Sequence, residues 1–315
     1  MDVESLLSMS DAMALVERVF HLQAVGDAVN GVRQRVRYEG GLLHLMGGSI
    51  PSQQAAGIKT YVSTRGRTTF VVLLFNSMTG ELLSIIESDW LGRIRTGAAS
   101  GVATRYLSRE DARTAGVIGA GTQAETQILA LLEARPLENI AVFSRTRDKR
   151  EALVGRLRDR IDCRIEAVST AREAVEGKDI VTTITSASAP VFEGAWLKPG
   201  AHVNAAGSNS LSRQEIDVQT VARASCVVVD SLPQARLEAG DLLAAIAQGS
   251  FEWSYVRELG EMLEGEDPCR VTDDEITIYE SQGIAIQDIA VARYVYDVAV
   301  QQGYGEDVAF GAAPW

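Results

Sequence analysis

A glycine-rich turn is the first feature of the sequence that can do chemistry. Gly119, Gly121 and Ala124 form a GxGxxA pattern after the apolar segment AGVIG. The first glycine permits a tight turn, the second lets the backbone approach a pyrophosphate, and the alanine allows a helix to pack closely on the strand. The helix that starts near Thr122 and Gln123 offers free N–H groups to phosphates. The pattern predicts a dinucleotide-binding turn, although glycines also mark ordinary turns.

The end of the next strand indicates which dinucleotide is bound. An acid at that position receives the ribose hydroxyls of NAD and repels a 2′-phosphate. Here the strand NIAVF is followed by Ser144, Arg145 and Thr146, which are hydroxyl and guanidinium groups that favour a phosphate. We expect NADP(H) to be preferred and NAD(H) to be possible. Alternatively, these are solvated residues at the start of the next helix.

The elements that position these residues form two groups. An amphipathic helix capped by Ser10 is followed by strands at 42–48 and 57–63 and by the pair TFVVLLF and ELLSIIES, which predict an antiparallel meander. From about residue 113, strands and helices alternate, as in a parallel sheet with helices on both faces. The apolar tail that begins with GIAIQD predicts a long buried helix returning to the first group.

Composition excludes several partners. A net charge of −12 disfavours nucleic acid. The start of the chain lacks the pattern of a secretion signal, and no apolar run is long enough to span a membrane, so we expect a cytoplasmic protein. Cys163, Cys226 and Cys269 are far apart in no metal-binding pattern, which predicts reduced thiols and no zinc site.

The histidines give no sign of a metal site either. His21, His44 and His202 lie in separate segments without metal-ligand spacing, and we expect each to be structural. No bound metal is predicted.

The chain resembles the ornithine cyclodeaminase and mu-crystallin family over almost its whole length. The resemblance is carried by GIKTYVS, VLLFNSMTGELLSIIES, LGRIRTGAASGVATRYL, GVIGAGTQAETQ, KPGAHVNAAGS, VVVDSLPQARLEAGDL and GIAIQDIAVA. It implies an α/β fold, namely a Rossmann doubly wound parallel sheet plus an α+β substrate and dimerisation domain, in a homodimer. We place the substrate-binding and dimerisation domain at 1–112, joined by a C-terminal helix at 290–315, and the dinucleotide-binding domain at 113–289.

The resemblance also implies the residues that hold the substrate. Lys59 in GIKTYVS matches the family's active-site lysine, and Arg95 in RTGAASG matches a carboxylate-binding arginine. The other carboxylate-binding arginine falls best on Arg33, with Arg35 as the alternative. The chemistry agrees, because arginine forks fix a carboxylate, and burial would lower the pKa of Lys59 into the range of acid and base catalysis. Otherwise these residues would form ion pairs or lie at a strand edge.

Three further positions are implied in the same way. Thr96 matches a cofactor contact, and Asp288 in GIAIQD matches a position near the nicotinamide, with helix capping or packing as the alternative. Asn209, assigned to the substrate, aligns with the aspartate that serves ornithine cyclodeaminase as a base at the distal amine. An amide cannot accept a proton as a carboxylate does.

We therefore expect an NAD(P)H-dependent oxidoreductase that acts on a small α-imino or α-amino acid, of the cyclic ketimine reductase or amino-acid dehydrogenase type. One alternative is ornithine cyclodeaminase, a lyase that converts ornithine to proline and ammonia. Another is a non-catalytic protein that binds NADPH and a small acid. The presence of Lys59, Arg33 and Arg95 argues against the non-catalytic alternative.

Overall fold

The computed structural model describes residues 3–265 and 268–308. Its helices are α1 Val3–Leu6, α2 Met9–Ala24, α3 Asp89–Leu107, α4 Ala124–Ala134, α5 Arg147–Leu157, α6 Ala171–Val175, α7 Val218–Arg223, α8 Leu232–Glu238, α9 Gly240–Ala247, α10 Leu259–Glu264 and α11 Ala285–Gln302. Its strands are β1 Val29–Asn30, β2 Gln34–Tyr38, β3 Gly41–Ile50, β4 Ala55–Thr64, β5 Thr68–Asn76, β6 Leu82–Glu87, β7 Thr114–Ile118, β8 Asn139–Phe143, β9 Arg164–Ala167, β10 Ile180–Thr183, β11 His202–Ala205, β12 Ala224–Val229, β13 Val256–Glu258 and β14 Ile276–Glu280. None of the described helices is long and apolar enough to cross a membrane.

The chain divides into two compact units. Unit 1 contains the described residues up to Arg95 together with those from Ile284 onward, and unit 2 is Thr96–Gly283. The first boundary therefore lies inside α3, whereas the sequence pattern placed it at 112/113. The reason is visible within unit 2, where a side chain at Gly97 would collide with the backbone of Thr126 in α4, so this half of α3 packs against α4. The functions assigned to the two domains stay predictions.

Unit 1 is built on an antiparallel sheet. Its strand order is β1-β3-β4-β5-β6, with β2 also paired to β3. The predicted meander strands are present, and their register places Met46 opposite Lys59 and Lys59 opposite Val72. The predicted cap of α2 was wrong by two residues. Ser8 is the N-cap, because its side chain accepts from the Asp11 backbone N–H while the Asp11 carboxylate reaches back, forming a capping box.

Unit 2 is built on an eight-stranded parallel sheet with the order β13-β12-β14-β11-β10-β7-β8-β9. In chain order its first five strands run 3-2-1-4-5 from one edge, which is the Rossmann arrangement. The doubly wound parallel sheet predicted from the sequence is thus confirmed. Strands β13 and β14 were not predicted from the sequence. All five residues of β14 are buried, but Thr277 and Glu280 are polar, so the segment lacks the continuous apolar run that is typical of a strand covered on both faces.

The C-terminal helix α11 begins earlier than predicted. It covers Ala285–Gln302, whereas the predicted range was 290–315, of which 309–315 lies outside the described residues. Residues 285–292 are all buried, and most of the later ones are half-buried, so only the first half of the helix matches the prediction of a buried element. Gly303, with φ of +71°, ends it in the left-handed conformation that favours glycine.

The prediction of three reduced thiols was wrong for two of them. Cys226 in β12 and Cys269 are joined by a disulfide, with their Cα atoms 5.5 Å apart, and only Cys163 among the three is free. Pairing of β12 with β14 brings the chain that leads into β14 beside β12. A spacing of 43 residues gives no hint of this contact.

Candidate functional site

The glycine-rich turn of unit 2 has the backbone that the sequence predicted. Gly119 has φ of +123°, and a side chain there would collide with the carbonyl of Ile184. At Gly121 a side chain would meet no atom within 4 Å, so the backbone is open to a ligand. Gly119 follows β7 and Ile184 follows β10, and the strand order reverses between these two strands. Ligands of doubly wound sheets bind at such a switch point, beyond the carboxyl ends of the strands.

The start of α4 fits a phosphate group. Gly121 and Thr122 are exposed, and Gln123 is the N-cap residue but makes no capping hydrogen bond with its side chain. The buried Oε1 atom of Gln123 has no hydrogen-bond partner among the described residues. An open helix N-terminus offers donors to a phosphate, and the Gln123 oxygen is left to accept from a ligand. These residues therefore fit the dinucleotide that the sequence predicts.

The residues after β8 form an exposed basic loop. Arg145 and Thr146 are exposed, Ser144 is half-buried, and the Ser144 carbonyl accepts a hydrogen bond of 2.6 Å from Arg150 Nη1. The Arg150 guanidinium lies 5.7 Å from the ring centre of Phe143, the last residue of β8. Arg145 forms no ion pair within the described part of the chain. Its charge is available to an anion at the end of β8.

The other two predicted residues of unit 2 lie apart from the glycine-rich turn in sequence. Thr96 is buried in α3, where its carbonyl oxygen accepts from Gln127 Nε2 of α4 at 3.4 Å. Asn209 is half-buried in the loop after β11. The roles of Thr96 and Asn209 stay predictions.

In unit 1, Asp288 brings the predicted lysine and one predicted arginine together. Asp288 Oδ1 lies 2.6 Å from Lys59 Nζ and 3.1 Å from Arg95 Nε. The neighbouring Gln287 accepts from Arg95 Nη1 at 2.9 Å. Lys59 is on β4, Arg95 on α3, and Gln287 and Asp288 on the first turns of α11. The cluster is almost fully buried, since Lys59 and Arg95 are 3% and 6% exposed and Asp288 is 0% exposed.

Burial sets the acidity of Lys59. Removal from water lowers its pKa from 10.5 to about 8, with Asp288 opposing the shift and the charge of Arg95 adding to it. Gly92 makes room for the ammonium group, because a side chain there would stand 2.8 Å from Lys59 Nζ. An amine with this pKa can both give and take a proton near neutral pH.

The structure separates the two alternatives for the second arginine. Arg33 is 7% exposed and Arg35 is exposed. The charge of Arg33 lowers the pKa of Lys59, which places Arg33 near the cluster. Both arginines and, above all, burial lower the pKa of His44 to about 4, so His44 is neutral and stacks on Tyr61 at 4.0 Å between ring centres. Burial and proximity to Lys59 favour Arg33 over Arg35, and the role of Arg33 toward the substrate stays a prediction.

Asp288 and Gln287 each have one buried polar atom that is available to a ligand. Asp288 Oδ2 and Gln287 Nε2 have no hydrogen-bond partner among the described residues. Asp288 was predicted to contact the cofactor, whereas Gln287 was not predicted as a site residue, although the two are adjacent in GIAIQD. In the structure the Asp288 carboxylate orients Lys59 and Arg95, and its role toward a cofactor remains a prediction.

The remaining polar groups of note are structural. His202 is fully buried, contacts Thr277 Oγ1 at 2.9 Å and Asn204 Oδ1 at 3.1 Å, and has its pKa lowered to about 3 by burial. Over residues 3–265 and 268–308, no group of three His, Cys, Asp or Glu side chains is arranged to hold a metal ion. Among the predicted site residues, the structure directly joins Lys59, Arg95 and Asp288 in unit 1.

A Rossmann unit with an open glycine-rich turn, and a second unit in which one buried carboxylate pairs with a lysine and an arginine, define the class of two-unit dinucleotide-binding proteins that act on small carboxylated molecules. The ornithine cyclodeaminase/mu-crystallin family profile matches residues 1–303. The chain belongs to this family.

Individual relatives agree with this assignment. The chain is 39% identical over 262 residues to a Δ1-pyrroline-2-carboxylate reductase of Bacillus cereus, covering 83% of this chain and 78% of that protein. The structure of Thermococcus litoralis Δ1-pyrroline-2-carboxylate reductase in complex with NADH and L-proline superposes with a TM-score of 0.93 at 32% identity, covering 97% and 98% of the two chains. An archaeal alanine dehydrogenase dimer with bound NAD gives a TM-score of 0.92 at 32% identity, covering 98% and 97%.

Proposed function

We propose that this protein is an NAD(P)H-dependent oxidoreductase that reduces a small α-imino acid to the α-amino acid, or catalyses the reverse reaction. The observation that carries the proposal is the buried Lys59, whose pKa of about 8 suits proton transfer and whose ammonium is oriented by Asp288 at 2.6 Å. Relatives named as Δ1-pyrroline-2-carboxylate reductase and alanine dehydrogenase support the same class of reaction.

Unit 1 supplies the groups that hold the substrate and move its proton. Arg33 and Arg95 are buried cations suited to the substrate carboxylate. Protonated Lys59 gives its proton to the imine nitrogen. The Asp288 carboxylate stabilises the ammonium form of Lys59 and fixes its orientation through a hydrogen bond. In the oxidative direction, neutral Lys59 takes the same proton back.

Unit 2 supplies the dinucleotide-binding surface. Gly119, Gly121 and the open start of α4 hold the pyrophosphate, and Gln123 Oε1 accepts from the ligand. A reduced nicotinamide, when bound, supplies the hydride that the imine carbon receives. The Δ1-pyrroline-2-carboxylate reductase of Thermococcus litoralis was solved with NADH, and the archaeal alanine dehydrogenase with NAD. For this chain we propose a preference for NADP(H), because Ser144, Arg145 and Thr146 follow β8 where an NAD-binding protein has an acid for the ribose hydroxyls.

The relatives also suggest the substrate and the assembly. We propose a cyclic imino acid such as Δ1-pyrroline-2-carboxylate, or a keto acid with an amine, as substrate, and a homodimer as the working form. The archaeal alanine dehydrogenase is a dimer, which supports the second point. Asn209 cannot act as a base, and this argues against the lyase reaction on ornithine.

Absorbance at 340 nm tests the proposal, since reduced nicotinamide is consumed in step with imine reduction. The protein is mixed with NADPH or NADH and a panel that contains Δ1-pyrroline-2-carboxylate, pyruvate with ammonia, and ornithine. We expect one imine or keto acid with an amine to oxidise the cofactor stoichiometrically. Release of ammonia from ornithine without net oxidation would establish the lyase instead, and tight binding without turnover would establish a binding protein.

A further inference from the structure

A buried carboxylate joins two loops of unit 2 that the sequence analysis did not connect. Glu215, in the segment between β11 and α7, is fully buried. Its Oε1 accepts the Thr185 backbone N–H at 2.6 Å, and its Oε2 accepts the Gly207 backbone N–H at 2.7 Å. Thr185 belongs to the loop after β10 and Gly207 to the loop after β11. Each oxygen therefore holds one loop at the carboxyl edge of the sheet.

Both loops lead to predicted ligand residues of unit 2. The loop after β11 continues from Gly207 to Asn209, two residues further on. The loop after β10 begins with Ile184, whose carbonyl oxygen lies against Gly119 of the glycine-rich turn. A side chain at Gly207 would collide with the backbone of Thr185, so the two loops are in close contact where Glu215 joins them. Glu215 thus holds the two loops that lie next to the predicted binding segments.

Helix α9 holds Glu215 from the other side. Asp241 Oδ1, at the start of α9, accepts the backbone N–H groups of Glu215 at 2.5 Å and of Ile216 at 2.8 Å. Gly240 lets α9 approach, because a side chain there would collide with the carbonyl of Arg213. Two buried carboxylates in series therefore connect a helix to two loops.

From these contacts we propose that Glu215 is a positioning residue, whose ionised carboxylate fixes the loops after β10 and β11 in the geometry that presents Asn209 and supports the glycine-rich turn. The inference rests on the proposed function for the meaning of Asn209. The loop connection itself depends only on the hydrogen bonds of unit 2. A carboxylate is required because both oxygens accept, whereas a carboxylic acid or an amide has a donor at one of the two positions.

The surroundings of Glu215 make this connection sensitive to pH. Burial raises its pKa from 4.5 to about 7, the backbone donors oppose the shift, and the nearby Asp241 adds to it. Asp241 is itself buried, with its pKa raised to about 6. Glu280, fully buried at the end of β14, has a strongly raised pKa, because of burial and the charges of Asp241, Asp230 and Glu215. Below neutral pH, Glu215 gains a proton and one loop loses its acceptor.

Hydrogen-exchange mass spectrometry on the whole protein tests the connection without reference to turnover. In the wild type we expect the segments at 184–190 and 206–214 to lose protection when the pH falls from about 8 to about 6, after correction for intrinsic exchange. In Glu215→Gln both segments should lack this protection at both pH values. Glu176→Gln, which removes an exposed carboxylate just after α6 that is paired with Arg172, is the matched control and should behave as the wild type. Full protection of both segments in Glu215→Gln would overturn the proposal.

The pH profile of imine reduction supplies a readout that a merely structural role would not move. We expect kcat/KM of the wild type to fall on the acid side with a midpoint near 7, following the pKa of Glu215. Glu215→Gln should raise KM about tenfold and show no acid limb, because it is never ionised. Asp241→Asn can keep both backbone contacts through its carbonyl oxygen and should move the limb to lower pH. An unmoved limb in Asp241→Asn would overturn the proposal even if Glu215→Gln does not fold.

The proposed reaction and the positioning role of Glu215 can be contradicted separately. If no imine is reduced, the proposed function fails, while the exchange experiment still decides whether Glu215 holds the loops. If reduction occurs but exchange and the acid limb are unaffected by both variants, the proposed function stands and the positioning role is wrong.

Discussion

Asp288 Oδ1 lies 2.6 Å from Lys59 Nζ, although 229 residues separate the two in the chain. The same oxygen accepts from Arg95 at 3.1 Å, so one buried carboxylate orients both the predicted proton donor and a predicted substrate-binding cation. Burial and the charge of Arg95 lower the pKa of Lys59, and Asp288 opposes this shift. The acidity of the amine thus depends on a residue supplied by α11.

Replacing Lys59 by methionine should remove reduction while leaving cofactor binding intact. The methionine keeps an apolar stem in the buried strand but has no proton to give. We expect kcat to fall by about 10² or more, in the range for loss of a general acid. Dinucleotide affinity, followed by quenching of protein fluorescence, should be unchanged. Near wild-type turnover in this variant would assign Lys59 to structure.

Asp288→Asn should shift the pH dependence of reduction. Because Asp288 raises the pKa of Lys59, its loss lowers that pKa below about 8. Reduction needs protonated Lys59, so the alkaline decline of kcat/KM should begin at lower pH than in the wild type. Asp297→Asn, on the same helix and paired with Arg293, is the matched control. A decline at the same pH in Asp288→Asn and the wild type would contradict the role of Asp288.

The pair Arg33→Ala and Arg35→Ala should separate the two candidate arginines. We expect Arg33→Ala to raise the KM of a carboxylated substrate roughly tenfold or more, since a hydrogen bond to a charged group contributes about 1.5 to 3 kcal/mol. Arg35 is exposed, and its replacement should leave KM nearly unchanged. Steady-state kinetics with one carboxylated imine give the KM of both variants. The opposite order of effects would move the assignment to Arg35.

Arg145→Asp should exchange the cofactor preference. An acid after β8 receives ribose hydroxyls and repels a 2′-phosphate, so NADH should bind more tightly than NADPH to this variant. Arg147→Asp, the same change at a residue paired with Glu151, is the control and should keep the wild-type preference. Titration of each protein with NADH and with NADPH gives the ratio of the two dissociation constants. If the wild type binds NADH as tightly as NADPH, the interpretation of this loop is wrong.

The disulfide of unit 2 should contribute to stability. Closing a loop between Cys226 and Cys269 restricts the unfolded chain, and such links contribute about 2 to 4 kcal/mol. Cys226→Ser should lower the free energy of unfolding in urea by that amount, and added reductant should no longer affect the variant. Cys163→Ser is the control, since Cys163 is free. Equal stability of the wild type with and without reductant would show that the link contributes nothing.

The sequence predicts well where chemistry depends on local pattern. The glycine-rich turn follows from three residues next to one strand, and the parallel sheet follows from the alternation of strands and helices. Lys59 and the arginines were assigned through the resemblance, and strand alternation could not choose between Arg33 and Arg35, because residues two apart lie on the same face. Burial in the folded unit separates them.

Contacts that join distant segments were out of reach of the sequence. The partners of Asp288, the bond between Cys226 and Cys269, and the carboxylate of Glu215 all depend on which strands become neighbours. No spacing along the chain encodes that order. Buried β14 was missed for a related reason, since its polar residues Thr277 and Glu280 interrupt the apolar run expected of a strand covered on both faces, and only the folded unit buries them.

Unit 1 is discontinuous, and this has a consequence for the order in which the protein folds. Helix α11 packs on β3, β4 and β5, yet it is synthesised after the whole of unit 2. The contiguous unit 2 can fold on the ribosome as soon as it emerges, whereas the sheet of unit 1 cannot be covered until α11 has been synthesised. Lys59 therefore acquires its partner Asp288 in one of the last steps of folding. A chain interrupted before α11 contains the Rossmann fold of unit 2 but lacks the ion pair between Lys59 and Asp288.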